Sequence, residues 1–119
     1  MSSTLHLPEQ KVVRSKITIN GIVQGVGFRP YIYNLAKSHY LKGYVLNNPN
    51  GVHIEAEGVP GDIESFLEDI PKKLPPQANI VNLHEERLLP CYFTDFEIRE
   101  RSWVVRSSTR AGTRPKNRR

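Results

Sequence analysis

Residues 43–58 read "GYVLNNPNGVHIEAEG", two short strand-like runs on either side of Pro49, Asn50 and Gly51. In the second run Val52, Ile54 and Ala56 alternate with His53, Glu55 and Glu57, the period of a strand that buries one face. Pro-Asn-Gly between two such runs predicts a hairpin turn, and the two strands should therefore pair antiparallel. Upstream, Ile32, Leu35, Ala36 and His39 recur at i, i+3, i+4 and i+7, which predicts a helix. Pro30 fits its first turn, where a missing N–H is harmless, and Gly43 supplies a stop signal. Downstream, Pro60, Gly61 and Asp62 open a second helical run, with Ile63, Phe66, Leu67 and Ile70 on one stripe and Pro71 ending it.

Outside the helices lie two more strands. "KITINGIV", from Lys16, sets Ile17 and Ile19 on one face and Thr18 and Asn20 on the other, and "NIVNLHEERLL" (79–89) reads as the fourth strand. "TDFEIRE" (94–100) is a short alternating piece suited to a sheet edge. The order β-α-β-β-α-β predicts an α+β, ferredoxin-like sandwich: a four-stranded antiparallel sheet with both helices on one face and room for a short fifth strand. The expected organisation is a loose lead-in over 1–13, one domain over 14–100 and a basic, largely disordered tail over 101–119.

With 119 residues, 38% of them apolar, the chain has material for one ordinary core. Its net charge of +5 is unevenly placed: residues 1–100 hold 10 Lys and Arg against 12 Asp and Glu, whereas residues 101–119 hold 7 Lys and Arg and no acid. The globular part thus lacks the electrostatic footprint of a nucleic-acid surface, and only nonspecific contact through the tail is expected. RNA-recognition domains share the element order but stack bases on aromatics in their first and third strands, and "KITINGIV" and "VHIEAEG" contain none. The single cysteine, Cys91, closes no intrachain disulfide, and the four histidines show no zinc-ligand spacing. No apolar run approaches the ~20 residues that span a bilayer, and the N-terminus lacks the apolar stretch of a signal peptide, so a cytoplasmic location without membrane attachment is expected.

Between the first strand and the first helix stands "GIVQGVGFRP", Gly21 to Pro30. A glycine-rich loop at a helix start gathers unpaired backbone N–H groups at the positive end of the helix dipole, a place for an anion. The dinucleotide fingerprint would need glycine where Pro30 stands, and the GK[ST] ending of a Walker A loop is absent. Arg29 sets a planar, permanently charged fork beside the amides. Read alone, the loop is better taken as a tight turn with Arg29 as a surface charge. Asn47 and Asn48 close the second strand, and an amide there is able either to hold a water molecule or to form the turn before Pro49.

Two of these stretches together carry a resemblance. "GIVQGVGFR" is similar to the G-x-VQGV-x-FR signature of the acylphosphatase family, and "GYVLNNPNG" to its G-[aromatic]-V-x-N-x-x-x-G segment. The similarity runs through roughly residues 14–100, "DFEI" included. Gly27 before Phe28, Pro30 after Arg29, "YIYNLA" and "NGVHIEAEG" resemble more closely the acylphosphatase-like domain that begins the hydrogenase-maturation carbamoyltransferases. One cysteine cannot supply the zinc-finger modules that follow it in those proteins. The resemblance implies the ferredoxin-like fold and metal-independent, cofactor-free hydrolysis of an acyl phosphate, or of carbamoyl phosphate, to carboxylate and phosphate. It implies Arg29 as phosphate anchor, Asn47 as the residue that positions water, and the backbone N–H groups of Gln24, Gly25, Val26, Gly27 and Phe28 as the cradle. Asn48 departs from the hydroxyl residue usual in the free-standing enzymes. The alternative is a non-catalytic or weakly active phosphate-binding domain, a fragment of the larger carbamoyltransferase.

Other candidates carry less. Glu85 and Glu86, adjacent on a strand, point to opposite faces and form no carboxylate pair. His39 is expected at the core edge, His53 and His84 facing solvent, and Tyr31, Tyr33 and Tyr40 in packing. Cys91 has no cationic neighbour in sequence to make it a thiolate.

Overall fold

The hairpin forms about a shorter turn than its sequence suggests. In the computed structural model, which describes residues 11–100, β2 (Lys42–Asn48) and β3 (Gly51–Gly58) pair antiparallel from Lys42 opposite Glu57 to Asn48 opposite Gly51. The turn is therefore Pro49 and Asn50 alone, and Gly51 already belongs to the ladder. Asn48 Oδ1 accepts the Asn50 N–H at 2.9 Å and shapes that turn, as a short amide side chain does. β1 (Val13–Ile22) pairs with the other edge of β3, so β1 and β2 flank β3 without touching each other.

Helices α1 (Phe28–Ser38) and α2 (Pro60–Asp69) lie against one face of this sheet. Ile17, Ile19, Val45, Val52, Ile54 and Ala56 of the strands are buried with Phe28, Ile32, Ala36, Ile63, Phe66 and Ile70 of the helical segments. The alternation and the helical stripes meet here as the sequence predicts. His39 joins the helices, with Nε2 2.9 Å from Asp69 Oδ2 and its ring edge-on to Phe66, while the Tyr31 hydroxyl donates to the Ile70 carbonyl at 2.6 Å.

Gly43 does not stop α1. The helix ends on Tyr40, a left-handed non-glycine residue at φ 63°, with the Leu41 N–H on Ala36 O at 3.0 Å and the Tyr40 N–H on Lys37 O at 3.1 Å. This is the Schellman arrangement. Leu41, 1% exposed, turns into the core and imposes the reversal that glycine usually allows. Gly43 sits inside β2, where a Cβ would come within 1.9 Å of the Glu55 carbonyl oxygen.

The four main strands pair antiparallel as expected, in the spatial order β4 (Asn79–Leu88), β1, β3, β2, and the short fifth, β5 (Phe96–Ile98), joins β2 in parallel, so that the whole sheet is mixed. β4 pairs antiparallel with β1, and therefore finishes at the end of the sheet where β1 and β2 begin. A strand starting there must run with β2, and β5 does so, Gly43 opposite Phe96 and Val45 opposite Ile98. Glu57 secures the crossing. Expected on a solvated face, it is 2% exposed, and its carboxylate accepts the backbone N–H groups of Cys91, Tyr92 and Phe93 at 2.5, 2.9 and 2.7 Å.

His53 also departs from the solvent-facing position expected: it is half-buried beside Tyr44, whereas His84 is exposed. Glu85 and Glu86 do diverge, Glu85 toward Ser15 and Arg87 and Glu86 toward Lys16. The segment 1–10 and the tail 101–119 lie outside the described residues. Among the described residues no helix is long and apolar enough to cross a membrane.

Candidate active site

β1 leaves the sheet after Ile22 and buries Val23, and the chain then turns through Gln24 to Gly27. Gly25 at φ 74° and Gly27 at φ 82° alternate with Gln24, Val26 and Phe28, none of which has positive φ. Backbone of alternating hand turns successive N–H groups to one side, the arrangement that binds anions. A Cβ on either glycine would meet nothing within 4 Å, so the left-handed backbone, not lack of space, calls for glycine here. Gly27 caps α1 without a side-chain hydrogen bond, and the first turn carries no acidic residue. Its N–H groups and the positive end of the helix dipole are uncompensated from within the helix. Among the described residues the amides of 24–27 likewise have no backbone acceptor outside the regular elements. Phe28, buried and 5.9 Å from the Tyr31 ring, anchors the turn to the core.

Both ends of the loop reach β2. At one end the Gln24 amide donates to the carbonyls of Asn48, at 2.6 Å, and Gly51, at 2.8 Å. At the other end Arg29 Nη1 donates to the Arg99 carbonyl at 3.5 Å, and the Arg99 N–H donates to Val45 O at 2.8 Å. Asn47 lies between these two attachments, opposite Val52 and on the helix-covered face with Val45. Its Oδ1 is buried and has no hydrogen-bond partner among the described residues. A buried, unpaired acceptor is unfavourable, so an apolar side chain would serve stability better at this position. Such an oxygen accepts only from a donor, and a water O–H is one. Asn48, one residue on, faces the other way and shapes the turn.

The loop, Arg29 and Asn47 are thus tied to one end of the sheet, and the remaining candidates are not brought to it. On the helix-free face Glu55 accepts from Arg14 at 2.8 Å and from the Tyr44 hydroxyl at 3.0 Å, with His53 Nε2 3.2 Å from that hydroxyl. The Arg99 guanidinium lies 4.0 Å over the Tyr44 ring, so its charge is directed away from Arg29 even though its carbonyl is not. Burial, then the Glu55 charge, push the Tyr44 hydroxyl up to about 12, and burial lowers His53 below its ordinary value. The sequence shows these residues only as the polar half of an alternation. At Cys91, desolvation and the nearby Glu57 carboxylate raise the thiol, the opposite of activation. Among the described residues no three His, Cys, Asp or Glu side chains are grouped to hold a metal ion.

The acylphosphatase sequence pattern matches residues 15–98, from within β1 to the end of β5. The chain belongs to the acylphosphatase family. This acylphosphatase domain is 44% identical over 85 residues to the acylphosphatase of Thermotoga petrophila, a match covering 71% of the chain and 93% of that protein. It is 46% identical over 76 residues to the probable carbamoyltransferase HypF of Methanocaldococcus jannaschii, covering 64% of the chain but 10% of that protein. The chain therefore spans about a tenth of such a relative. Full-length HypF, crystallised in a phosphate- and nucleotide-bound form, superposes with a TM-score of 0.75 at 36% identity over 79% of the chain and 13% of the HypF chain.

Proposed function

We propose that this acylphosphatase domain hydrolyses carboxyl-phosphate anhydrides, R–CO–O–PO3, to carboxylate and inorganic phosphate without a metal ion. The observation that carries the reading is the buried Oδ1 of Asn47, unpartnered among the described residues, on a strand to which the amide-rich loop is tied directly through Gln24 and indirectly through Arg29 and Arg99. The backbone N–H groups of Gln24, Gly25, Val26, Gly27 and Phe28 hold the phosphate oxygens, and the Arg29 guanidinium supplies the full positive charge. A water donates one hydrogen to Asn47 Oδ1, which leaves an oxygen lone pair directed at phosphorus. The water O–P bond forms, the P–O bond to the acyl group breaks, and the electron pair leaves on the carboxylate while the water protons end in the phosphate and solvent. A carboxylate is a good leaving group, so no general acid is required. Phosphoryl transfer of this kind is served by positioning and charge stabilisation, which are what amides, an arginine and an asparagine offer.

The identity to a carbamoyltransferase favours carbamoyl phosphate, R = NH2, as one substrate of the same site. The test measures hydrolysis of acetyl, benzoyl and carbamoyl phosphate in the presence of chelator. The native chain should exceed the Arg29→Ala variant by at least roughly 10²-fold, the loss found on removing one transition-state hydrogen-bond donor. Equal rates in the two proteins would refute the assignment.

A further inference from the structure

We propose that the side-chain amide of Gln24, assisted by Asn20, is a positioning clamp that locks the phosphate loop to the β2–β3 turn and thereby fixes Asn47. The inference rests on the proposed hydrolytic site and adds to it two residues whose side chains touch neither substrate nor water. Gln24 Nε2 reaches both carbonyls that border the two-residue turn, Asn48 O at 2.6 Å and Gly51 O at 2.8 Å. A primary amide has two N–H donors, so each carbonyl receives one. Asn20, near the end of β1, donates through Nδ2 to the carbonyl of Asn50, inside the same turn. All three contacts run from β1 and its loop to the hairpin tip. Gly51 lets the tip close in, since a Cβ there would lie 2.1 Å from the Ile19 carbonyl oxygen.

The chemistry needs such a clamp because of where Asn47 stands. Its pairing with Val52 is the last but one of the ladder, beyond which lie only Asn48 opposite Gly51 and the turn. Strand ends open locally at little free-energy cost. The cradle, by contrast, is carried by the loop and the start of α1, so water and phosphate are held by two pieces of chain that the β2–β3 ladder does not join. Attack requires the reacting atoms about 3–3.5 Å apart, and a displacement of about 1 Å loses roughly 10²-fold in rate. Gln24 joins the two pieces directly: its backbone N–H belongs to the cradle and its side chain grips the carbonyl of Asn48, the residue after Asn47.

The roles separate in measurement. Gln24→Met keeps length and volume but donates nothing, and Asn20→Ala removes the second clamp without touching the loop. In both, kcat for benzoyl phosphate should fall, by roughly 10–100-fold for Gln24→Met and less for Asn20→Ala. KM and the affinity for inorganic phosphate should stay within about twofold, because amides and Arg29 remain. Hydrogen exchange at Asn50 to Val52 should quicken in both variants while core amides keep their protection. If the native chain hydrolyses no acyl phosphate, the hydrolytic reading itself fails; unchanged exchange at the turn would then also overturn the clamp. Should the native chain be active, the clamp alone is refuted by kcat within threefold of native in Gln24→Met, or by phosphate affinity falling as far as kcat.

Discussion

Replacing Asn47 by leucine should make the protein more stable and nearly inactive. The buried Asn47 Oδ1 has no partner among the described residues, and an unsatisfied buried acceptor costs about 1–3 kcal/mol. Leucine is of comparable size, carries no polar atom and faces the same buried side as Val45 and Val52. Asparagine is also disfavoured in strands, on a scale that spans about 1 kcal/mol. The substitution therefore removes a penalty without opening a cavity, and a net gain near 1–2 kcal/mol is expected. For a domain of this size each kcal/mol moves the melting temperature by roughly 4–8 °C. Turnover should fall at least about 10²-fold, because nothing then orients the attacking water. Thermal and urea unfolding followed by circular dichroism give the first quantity, and loss of benzoyl phosphate absorbance the second. A destabilised Asn47→Leu protein would mean that the amide is a folding residue with a partner. Retained activity would mean that water is held elsewhere. Either result refutes the assignment, which requires the two effects to have opposite signs.

Two further predictions concern the rest of the sheet. Glu57→Ala deprives the N–H groups of Cys91, Tyr92 and Phe93 of their common acceptor. Since hydrogen bonds to a charged group contribute about 1.5–3 kcal/mol each and this segment is partly open to water, a loss of roughly 2–4 kcal/mol is expected in urea unfolding, with faster amide exchange at 91–93; a loss under about 1 kcal/mol would contradict it. His53 is held below its ordinary value by burial, opposed by Glu55 and supported by Lys16, in contact with the Tyr44 hydroxyl. As pH falls, the unfolded chain takes up this proton near pH 6.5, before the folded protein does. Between the two values the unfolded state binds more protons, so stability decreases with falling pH, and below the folded value the slope ends. His53→Gln should flatten the decline of unfolding stability as pH falls below about 6.5, and an unchanged slope would exclude His53 as its source.

How far these features can be read before the fold is known depends on their reach along the chain. The hairpin and both helices are legible because periods of 2 and 3.6 report which face each residue takes, and the buried sets around Ile54, Ile32 and Ile63 follow them. The loop's gathering of free amides at a helix start is legible too, from its glycines, whereas the roles proposed for Arg29 and Asn47 come only through resemblance to a family. What periodicity does not reveal is which distant backbone group a side chain will meet. "TDFEIRE" alternates as a strand should, yet its direction follows from where β4 ends, and Glu57 secures the crossing by binding amides 34 to 36 residues away. Tyr40 ends α1 without glycine because Leu41 is drawn into a core assembled by other strands. Gln24 reads as one more loop residue, because its partners are carbonyls 24 and 27 residues on, and the Arg29 guanidinium meets a carbonyl 70 residues on. Each of these contacts requires β3 to lie between β1 and β2, and β5 to lie beside β2. Topology, more than local pattern, therefore selects the partners that hold Asn47 beside the loop, and residues such as Gln24 are better sought from strand order than from motif spacing.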